Sequence, residues 1–354
     1  MKKITILITG AGAPGAPGII RSLRNNGERP VYIIGVDMDP KASGFSMVDE
    51  WYTVPKSCDD NFIDAVLGIC IRRSVDIVIP LVTSELEKFA EAKQLFRNKS
   101  VEVIVPEYCV LTVANDKGKL LGYMNDNGLE VPKYHITSDV TGFVKAAHEL
   151  GYPNGPFCFK PTISNGSRGF RIIDPNIDRS AILFNSKPTS VYTTYDEIIN
   201  MLTEIGDIPE LIVMEYLPGE EYSVDVLAED GQSLFIIPRR RDRITGGISS
   251  RGTTVFEVDV IEYCRKIIAI LGLSGNIGIQ VRRDKEGKPM ILEINPRMQG
   301  TIVLCTAAGV NMVYYGVKLA LGEKLPEVNI SWGTHMVRYW NEVYYDSDGH
   351  AFTL

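Results

Sequence analysis

The chain has 354 residues, of which 45% are hydrophobic and 23% are charged, and its formal net charge is -7. That length exceeds one typical domain and predicts two or three lobes with separate cores. The acidic balance argues against a dominant nucleic-acid surface, so an anionic ligand must be held by a local basic pocket. The six cysteines are scattered without a C-x-x-C pair, which argues against a zinc site or a disulfide framework.

The N-terminal segment superficially resembles a signal peptide, because two lysines precede an apolar run and small residues. The apolar run is too short, however, and it continues into a glycine-containing loop. No run of about 18 apolar residues occurs elsewhere, so no membrane-spanning segment is predicted. We expect a cytoplasmic protein that acts on small molecules, without nucleic-acid or membrane partners, and we leave a homo-oligomer open.

The first hundred residues alternate between strand and helix patterns. Apolar runs that predict buried strands lie at residues 4–8, 31–36, 76–80 and 101–105. Residues 61–73 place apolar side chains on one helical face, and Asp59 and Asp60 precede them as candidate helix caps. This alternation predicts βαβ units and a parallel sheet that is covered on both faces.

From about residue 114 the pattern changes to one typical of an α+β part. Asp116 and Ser138 are predicted to cap two short helices, and residues 174–194, which lack a clear period, are predicted to form an excursion or flap. A further helix is predicted at residues 257–271. Strands with hairpin-like spacing are predicted at 156–161, 170–173, 210–217, 221–228, 233–239, 275–283 and 289–297.

A glycine-rich turn follows the first predicted strand. The glycine loop, Gly10–Gly15, fits the pattern G-x-G-x-x-G, and Asp37 ends the second strand near the spacing of a ribose-binding acid. Alone, this pattern favours an NAD(P)-dependent oxidoreductase. The alternative is a βα turn that needs small residues where the backbone bends tightly. The lack of an evident catalytic histidine or cysteine nucleophile downstream weighs against the oxidoreductase.

Polar side chains on an apolar strand form the most specific candidate site. Side chains alternate along residues 291–295, so Glu293 and Asn295 share one face, and a hairpin can bring Gln280 alongside them. Their oxygens suit Mg²⁺, and without a ligand their burial is costly. Arg297 follows and can contact a phosphate in bidentate fashion. The alternative is an edge strand with solvated polar residues.

Two earlier segments contribute nucleotide-binding candidates. Lys160 lies inside an apolar strand, where an ammonium group is costly unless it meets an anion, and residues 164–169 can bring backbone N–H groups to phosphate oxygens. The alternative is a lysine whose stem packs while its head reaches water. Residues 215–217 end a strand where backbone groups can pair with an adenine edge, and Glu221 can accept hydrogen bonds from a ribose.

These three segments, in this order and spacing, resemble the ATP-grasp superfamily over roughly residues 1–325. The resemblance is closest to the synthetase domains of the carbamoyl-phosphate synthase large chain and to related carboxylate–amine ligases. It implies an α/β plus α+β architecture with ATP between the last two lobes. Its expected parts are an N-terminal Rossmann-like parallel-sheet domain (1–113), a small lid lobe (114–195), an α+β lobe (196–325) and a C-terminal extension (326–354).

The resemblance also implies roles for individual residues, with ATP and Mg²⁺ (or Mn²⁺) as cofactors. Catalysis is assigned to Arg297 and Lys160, and the metal to Gln280, Glu293 and Asn295. Substrate contacts are expected at a strand's carboxyl end, in Thr83, Ser84 and Glu85. The nucleotide is assigned to Lys117, Lys160, Gly166, Ser167, Gly169, Glu215, Tyr216, Leu217 and Glu221. The loop Asn-Gly-Ser-Arg-Gly lacks the commoner double glycine, which leaves its backbone geometry open.

An arginine-rich segment gives the last candidate site. Five arginines lie between residues 239 and 251, beside glycines, which in an acidic protein suggests an anion pocket. Strand alternation puts Arg239 and Arg241 on one face, and either of them, with Arg251, is predicted to hold a substrate carboxylate or phosphate. The alternative is a solvated basic edge strand.

Together these patterns predict a carboxylate–amine ligase that forms an acyl phosphate and releases ADP and phosphate. An NAD(P)-dependent oxidoreductase and a non-catalytic nucleotide-binding protein remain as alternatives.

Overall fold

The computed structural model describes residues 2–164, 168–185 and 191–354. The chain forms two compact units, each assembled from separate stretches of sequence. The first unit comprises Met1–Ala114, Glu221–Val281 and Ile294–Leu354, and the second comprises Asn115–Glu220 and Arg282–Glu293. No helix among the described residues combines the length and apolarity needed to cross a membrane.

The N-terminal part of the first unit contains a five-stranded sheet. Its strands have the order β3-β2-β1-β4-β5, and every pair is parallel, as the strand–helix alternation predicts. The strands are β1 Ile4–Thr9, β2 Val31–Asp37, β3 Glu50–Thr53, β4 Ile77–Ile79 and β5 Glu102–Val103. The helices are α1 Ala16–Arg24, α2 Phe62–Arg73, α3 Leu86–Glu91, α4 Lys93–Arg97 and α5 Tyr108–Ala114.

The start of α2 corrects one expectation from the sequence. Asn61 occupies the N-cap position and its side chain makes no capping hydrogen bond. Asp59 instead accepts a hydrogen bond from the backbone N–H of Lys56 at 3.1 Å, so it closes the preceding turn. Neither Asp59 nor Asp60 caps the helix, because they lie two residues and one residue before the N-cap position.

The second unit contains a four-stranded sheet of order β6-β9-β7-β8. Its strands are β6 Tyr134–Thr137, β7 Phe157–Pro161, β8 Arg171–Ile173 and β9 Leu211–Glu215, and its helices are α6 Lys117–Asp126, α7 Val140–Glu149, α8 Arg179–Asn185 and α9 Tyr195–Ile205. Asp116 caps α6 as predicted, but α7 is capped by Asp139, which accepts from Gly142 N, and not by Ser138. The stretch 174–194, predicted to form an excursion or flap, contains α8, and its residues 186–190 lie outside the described residues.

The rest of the chain forms a six-stranded sheet and the remaining helices. The strand order is β14-β13-β10-β11-β12-β15, and the pairs β10–β11, β11–β12 and β12–β15 are antiparallel. These strands are β10 Glu221–Glu229, β11 Gln232–Thr245, β12 Ile248–Thr254, β13 Gly275–Arg283, β14 Pro289–Asn295 and β15 His335–Val337. The other elements are α10 Val258–Leu271, α11 Val303–Ala307, α12 Met312–Ala320 and the hairpin β16 Tyr344–Tyr345 with β17 Ala351–Phe352.

One hydrophobic core joins both sheets of the first unit. It contains Ile6 and Ile8 of β1, Leu227 of β10 and Ile237 of β11. Helices α1 and α12 pack into the same core through apolar side chains such as Leu23. The two sheets of the first unit therefore share one hydrophobic core.

Candidate active site

Two buried lysines of the second unit lie close to β14. Lys117 is the first residue of α6, directly after the capping residue Asp116, and is 4% exposed. Its Nζ donates a hydrogen bond to the Ser164 carbonyl at 2.8 Å and lies 3.9 Å from Glu293 Oε2. Lys160, on β7, is 8% exposed and donates to the Leu292 carbonyl at 3.3 Å. The predicted phosphate-binding lysines thus converge beside a predicted metal ligand.

The electrostatics of this cluster are perturbed by burial. Loss of solvation lowers the pKa of Lys117 to about 8, with the charge of Glu293 opposing the shift and the charge of Lys160 adding to it. The carboxylates of Glu293 and Asp116 both act on Lys117, and the ammonium group of Lys160 repels that of Lys117. Two buried ammonium groups that repel each other suit a polyanion such as a triphosphate.

The loop after Lys160 is only partly within the described residues. Gly166 and Ser167 lie outside them, so their predicted phosphate contacts have no structural counterpart here. Gly169 adopts a left-handed conformation with φ +75°, and a Cβ on it would lie 2.5 Å from Pro161 Cδ. A glycine is therefore required at this position by both backbone conformation and space.

The predicted adenine segment ends β9. Glu215 uses its carboxylate to accept the backbone N–H of Lys133 at 2.7 Å, which fixes the entry into β6. Leu217 is buried, and the Tyr216 ring lies 5.3 Å from the guanidinium of Arg282. Arg282 was missed from the sequence, although its place beside Gln280 on β13 could have suggested it.

In the first unit, one arginine connects two predicted nucleotide-site residues. Arg241 on β11 makes an ion pair with Glu221 and donates to Gln280 Oε1 at 3.3 Å. Its other nitrogens donate to Ser249 Oγ at 3.0 Å and to the Gly247 carbonyl at 2.7 Å. The structure therefore brings the predicted ribose acid and a predicted metal ligand together around Arg241.

A second arginine of the first unit joins predicted catalytic and substrate residues. Arg297 donates from Nε to Thr83 Oγ1 at 3.0 Å and from Nη2 to Asn295 Oδ1 at 3.2 Å. Thr83 lies in a 3-10 turn, Thr83–Glu85, directly after β4. Ser84 is directed elsewhere, since its Oγ lies 3.0 Å from that of Ser57.

Glu85 is a buried acid in the same turn. It is 8% exposed and accepts a short hydrogen bond from the Thr9 hydroxyl at the end of β1. Burial raises the pKa of Glu85 to about 7, the Thr9 hydrogen bond opposes the shift, and the charge of Asp37 adds to it. Its protonation state therefore changes near neutral pH, and Thr9 is a contact that the sequence alone does not reveal.

The remaining predicted substrate arginines are not grouped with Arg241. Arg239 is buried and pairs with Asp225 at 2.6 Å, while its Nη1 donates to Thr301. Arg251 on β12 is exposed and its backbone pairs with Arg243. Asp225 was missed from the sequence, although polar residues at alternate positions of β10 are the pattern that could have indicated it.

Contacts within the protein explain why the glycine loop contains small residues. Gly12 N donates to Asp37 Oδ2 at 2.7 Å, so this carboxylate holds the loop. A Cβ on Gly15 would lie 2.5 Å from Gly300 Cα, and Gly10 has φ +62°. Close packing and a left-handed conformation thus account for the small residues.

Two family models match separate parts of the chain. The model described as "PylC-like, N-terminal domain" matches residues 6–104, and the one described as "ATP-grasp in the biosynthetic pathway with Ter operon" matches residues 207–342. The second match includes the segments of Arg241, Gln280, Glu293, Asn295 and Arg297. These matches confirm the resemblance to ATP-grasp proteins that the sequence indicates.

Similar proteins agree with this family. The carbamoyl phosphate synthase large chain of Caldanaerobacter subterraneus is 26% identical over 256 residues, covering 68% of this chain and 22% of that protein. The chain therefore spans about a fifth of that relative's length.

Solved structures show the same fold. Biotin carboxylase from Campylobacter jejuni, a β-γ-ATP complex, matches with a TM-score of 0.67 at 17% identity, over 92% of this chain and 73% of that one. L-amino acid ligase from Bacillus licheniformis matches with a TM-score of 0.62 at 16% identity, over 91% and 74%. These likenesses confirm the ATP-grasp fold, with its parallel N-terminal sheet and antiparallel sheet.

Proposed function

We propose that this ATP-grasp ligase uses Mg-ATP to activate a small carboxylic acid as an acyl phosphate, which an amine then converts to an amide. The observation that carries the proposal is the pair of buried lysines, Lys117 and Lys160, beside Glu293. Buried ammonium groups that repel each other are costly unless an anion compensates them, and a triphosphate does so.

The reaction balances without a covalent enzyme intermediate. A carboxylate oxygen attacks the γ-phosphorus of ATP in line, forming a P–O bond as the bond to ADP breaks. The amine nitrogen then attacks the acyl carbon, phosphate leaves, and the amine proton passes to solvent. Such phosphoryl transfer relies on positioning and on electrostatic stabilisation.

The residues of the chain contribute charge and orientation. Lys117 and Lys160 neutralise phosphate oxygens of the nucleotide. Arg297 is held by hydrogen bonds to Thr83 and Asn295, and we assign its oriented guanidinium to the transferring phosphoryl group and the acid. Tyr216 and Leu217 provide the adenine contacts, and Glu221, oriented by Arg241, accepts hydrogen bonds from the ribose.

The residues assigned to magnesium fit that ion chemically. Glu293 and Asn295 on β14 and Gln280 on β13 are all half-buried, and each offers a side-chain oxygen. Carboxylate and amide oxygens are the ligands that Mg²⁺ and Mn²⁺ accept. When bound, the metal would neutralise charge on the phosphates during transfer.

The experiment that tests the function is a matrix of carboxylates and amines screened for stimulated ADP release in the presence of Mg-ATP. We expect stimulation only when a suitable acid is present, and a hydroxamate of that acid when hydroxylamine replaces the amine. Release of AMP and pyrophosphate would contradict the acyl-phosphate chemistry. If the chain binds Mg-ATP but none of the acids stimulates ADP release, the result would instead support a non-catalytic nucleotide-binding protein. The cytoplasmic location and a homo-oligomeric state stay predictions.

A further inference from the structure

One arginine side chain contacts the segment that links β9 to β10. Residues 216–220 form this link and have no regular secondary structure. We call them the linking segment. Arg282, on β13, donates from Nε to the Gly219 carbonyl at 3.1 Å, and its Nη2 lies 3.5 Å from the Tyr216 hydroxyl. A single side chain therefore contacts the linking segment near both of its ends.

The same guanidinium packs on an aromatic ring. Its central carbon lies 5.3 Å from the centroid of the Tyr216 ring, a distance at which a cation is attracted to the ring face. Arg282 is half-buried, as is Tyr216, so the contact is partly withdrawn from water. Ring contact and hydrogen bond together restrict the conformations that Tyr216 and the residues after it can adopt.

The backbone next to Arg282 holds the end of the linking segment. The Gly219 N–H donates to the Arg283 carbonyl at 3.0 Å, and the Arg283 N–H donates to the Glu220 carbonyl at 2.9 Å. A Cβ on Gly219 would lie 2.6 Å from the Cβ of Arg283, so this close approach requires a glycine. Backbone bonds thus fix residues 219 and 220.

The start of the linking segment lacks such backbone bonds. Within residues 2–164, 168–185 and 191–354, no hydrogen bond uses the backbone N–H or carbonyl group of Tyr216 or Leu217. These are the residues that we assign to adenine, whose edge offers both a donor and an acceptor. Open backbone groups can pair with that edge only if the chain holds them in one conformation. At Tyr216 that constraint comes from the Arg282 side chain.

We propose that Arg282 is a positioning residue for the nucleotide, which holds the linking segment in the conformation that binds the base. The inference rests on the proposed ligase function and deepens it, because it assigns base recognition to a residue outside the predicted nucleotide-binding set. Arg282 acts through Gly219 and Tyr216, whereas Lys117 and Lys160 serve the phosphates. Loss of Arg282 should therefore weaken binding of the base and spare binding of the phosphates.

Two ligands separate the base from the phosphates in the test. Mg-ATP carries both, whereas inorganic tripolyphosphate with Mg²⁺ carries the phosphates alone. The Kd of the full chain for each ligand is measured by isothermal titration calorimetry. We expect Arg282→Met to raise the Kd for Mg-ATP about tenfold, the lower end of what one hydrogen bond from a charged group contributes. The Kd for tripolyphosphate should stay at the parent's value.

Two further variants assign the effect to the guanidinium. Arg282→Lys keeps a positive charge and an N–H donor, so it should recover part of the affinity for Mg-ATP, and it reports on the role even if Arg282→Met fails to fold. Arg283→Met is the matched control, because adjacent side chains of a strand point to opposite faces. The Arg283 side chain donates to the Gly287 carbonyl in the turn after β13, and its backbone bonds survive the substitution. Both of its Kd values should equal the parent's.

Turnover gives an independent readout of the same role. With the acid and the amine that the screen identifies, Arg282→Met should raise the KM for ATP about tenfold. The kcat at saturating ATP should stay at the parental value, because a residue that only positions the base contributes equally to the ground state and the transition state. If tripolyphosphate binds the parent too weakly to measure, this split between KM and kcat decides in its place.

Parental affinity of Arg282→Met for Mg-ATP would overturn the positioning role while leaving the ligase assignment in place. Equal losses of affinity for Mg-ATP and for tripolyphosphate would do the same, as would a fall in kcat at saturating ATP, because Arg282 would then act on the phosphates or on the fold. Failure of the parent to bind Mg-ATP would instead overturn the proposed function, so the two failures are distinguishable.

Discussion

Replacement of Lys160 by methionine separates a phosphate-binding lysine from one that merely packs. Lys160 is 8% exposed, and within the described residues its Nζ donates one hydrogen bond, to the Leu292 carbonyl at 3.3 Å. No acid forms an ion pair with it in the described part of the chain. Methionine preserves most of the buried stem, so the nucleotide-free protein should keep its stability or gain about 1 kcal/mol.

The nucleotide-bound state should respond in the opposite direction. Loss of a charge-assisted contact to phosphate is worth about 1.5–3 kcal/mol, which is about ten- to a hundredfold in the Kd for ATP. At an ATP concentration of about 1,000 times the parent's Kd, ligand stabilisation should fall from about 4.1 to between about 1.4 and 2.7 kcal/mol.

The assay is denaturant unfolding of the parent and the Lys160→Met variant, each with and without Mg-ATP. Lys145→Met, on the exposed surface of α7 in the same unit, is the matched control and should keep the parent's response to ATP. The reasoning is refuted if Lys160→Met binds ATP as tightly as the parent, because the lysine would then only pack.

Three further predictions follow from the site. Mg-ATP should raise the melting temperature by linkage, whereas NAD and NADP should not; the reverse pattern in a thermal-shift assay would favour a dinucleotide at the glycine loop. Glu293→Gln should change the free energy of unfolding by no more than about 1 kcal/mol, because Glu293 is 28% exposed and its partner Lys117 is 3.9 Å away. Turnover should nevertheless fall at least about a hundredfold, and parental turnover would contradict the metal role of Glu293. The pKa of Glu85 is raised from 4.5 to about 7 in the folded state, so between these pH values the folded chain binds more protons than the unfolded chain and its stability falls as the pH rises. Glu85→Gln should remove up to about 3 kcal/mol of this change in the free energy of unfolding. An unaltered pH profile of unfolding would show that Glu85 titrates normally.

The architecture of the sheets follows from local sequence patterns. Runs of β-branched residues such as those in β1 and β2 predict strands, and the intervening helices force parallel pairing. Asp116 indicates the start of α6 because a cap is a short-range interaction. Caps are less certain where several acceptors are adjacent, which is why Ser138 was chosen instead of its neighbour Asp139. Helix α9 was missed although it begins with a capping box formed by Thr194 and Glu197.

The site residues were predicted better than their partners. Lys160 and Glu293 are indicated by their own sequence neighbourhoods, because each is a charged residue inside an apolar strand. Their contacts are long-range, and the sequence carries no local signal for them: the Thr9–Glu85 hydrogen bond spans 76 positions and the Arg297–Thr83 bond spans 214. The role of Arg241 illustrates the same limit, since alternation gives its face but not its bonds to Glu221 and Gln280.

The fate of a carboxylate oxygen tests the central claim most directly. The acid found in the screen, labelled with oxygen-18 in its carboxylate, is turned over with Mg-ATP and the amine, and the products are analysed by phosphorus NMR. An acyl phosphate requires one labelled oxygen to appear in the released inorganic phosphate, because the carboxylate oxygen that attacked the γ-phosphorus leaves with it. Label in AMP would contradict the account, as would unlabelled phosphate from a reaction that forms the amide.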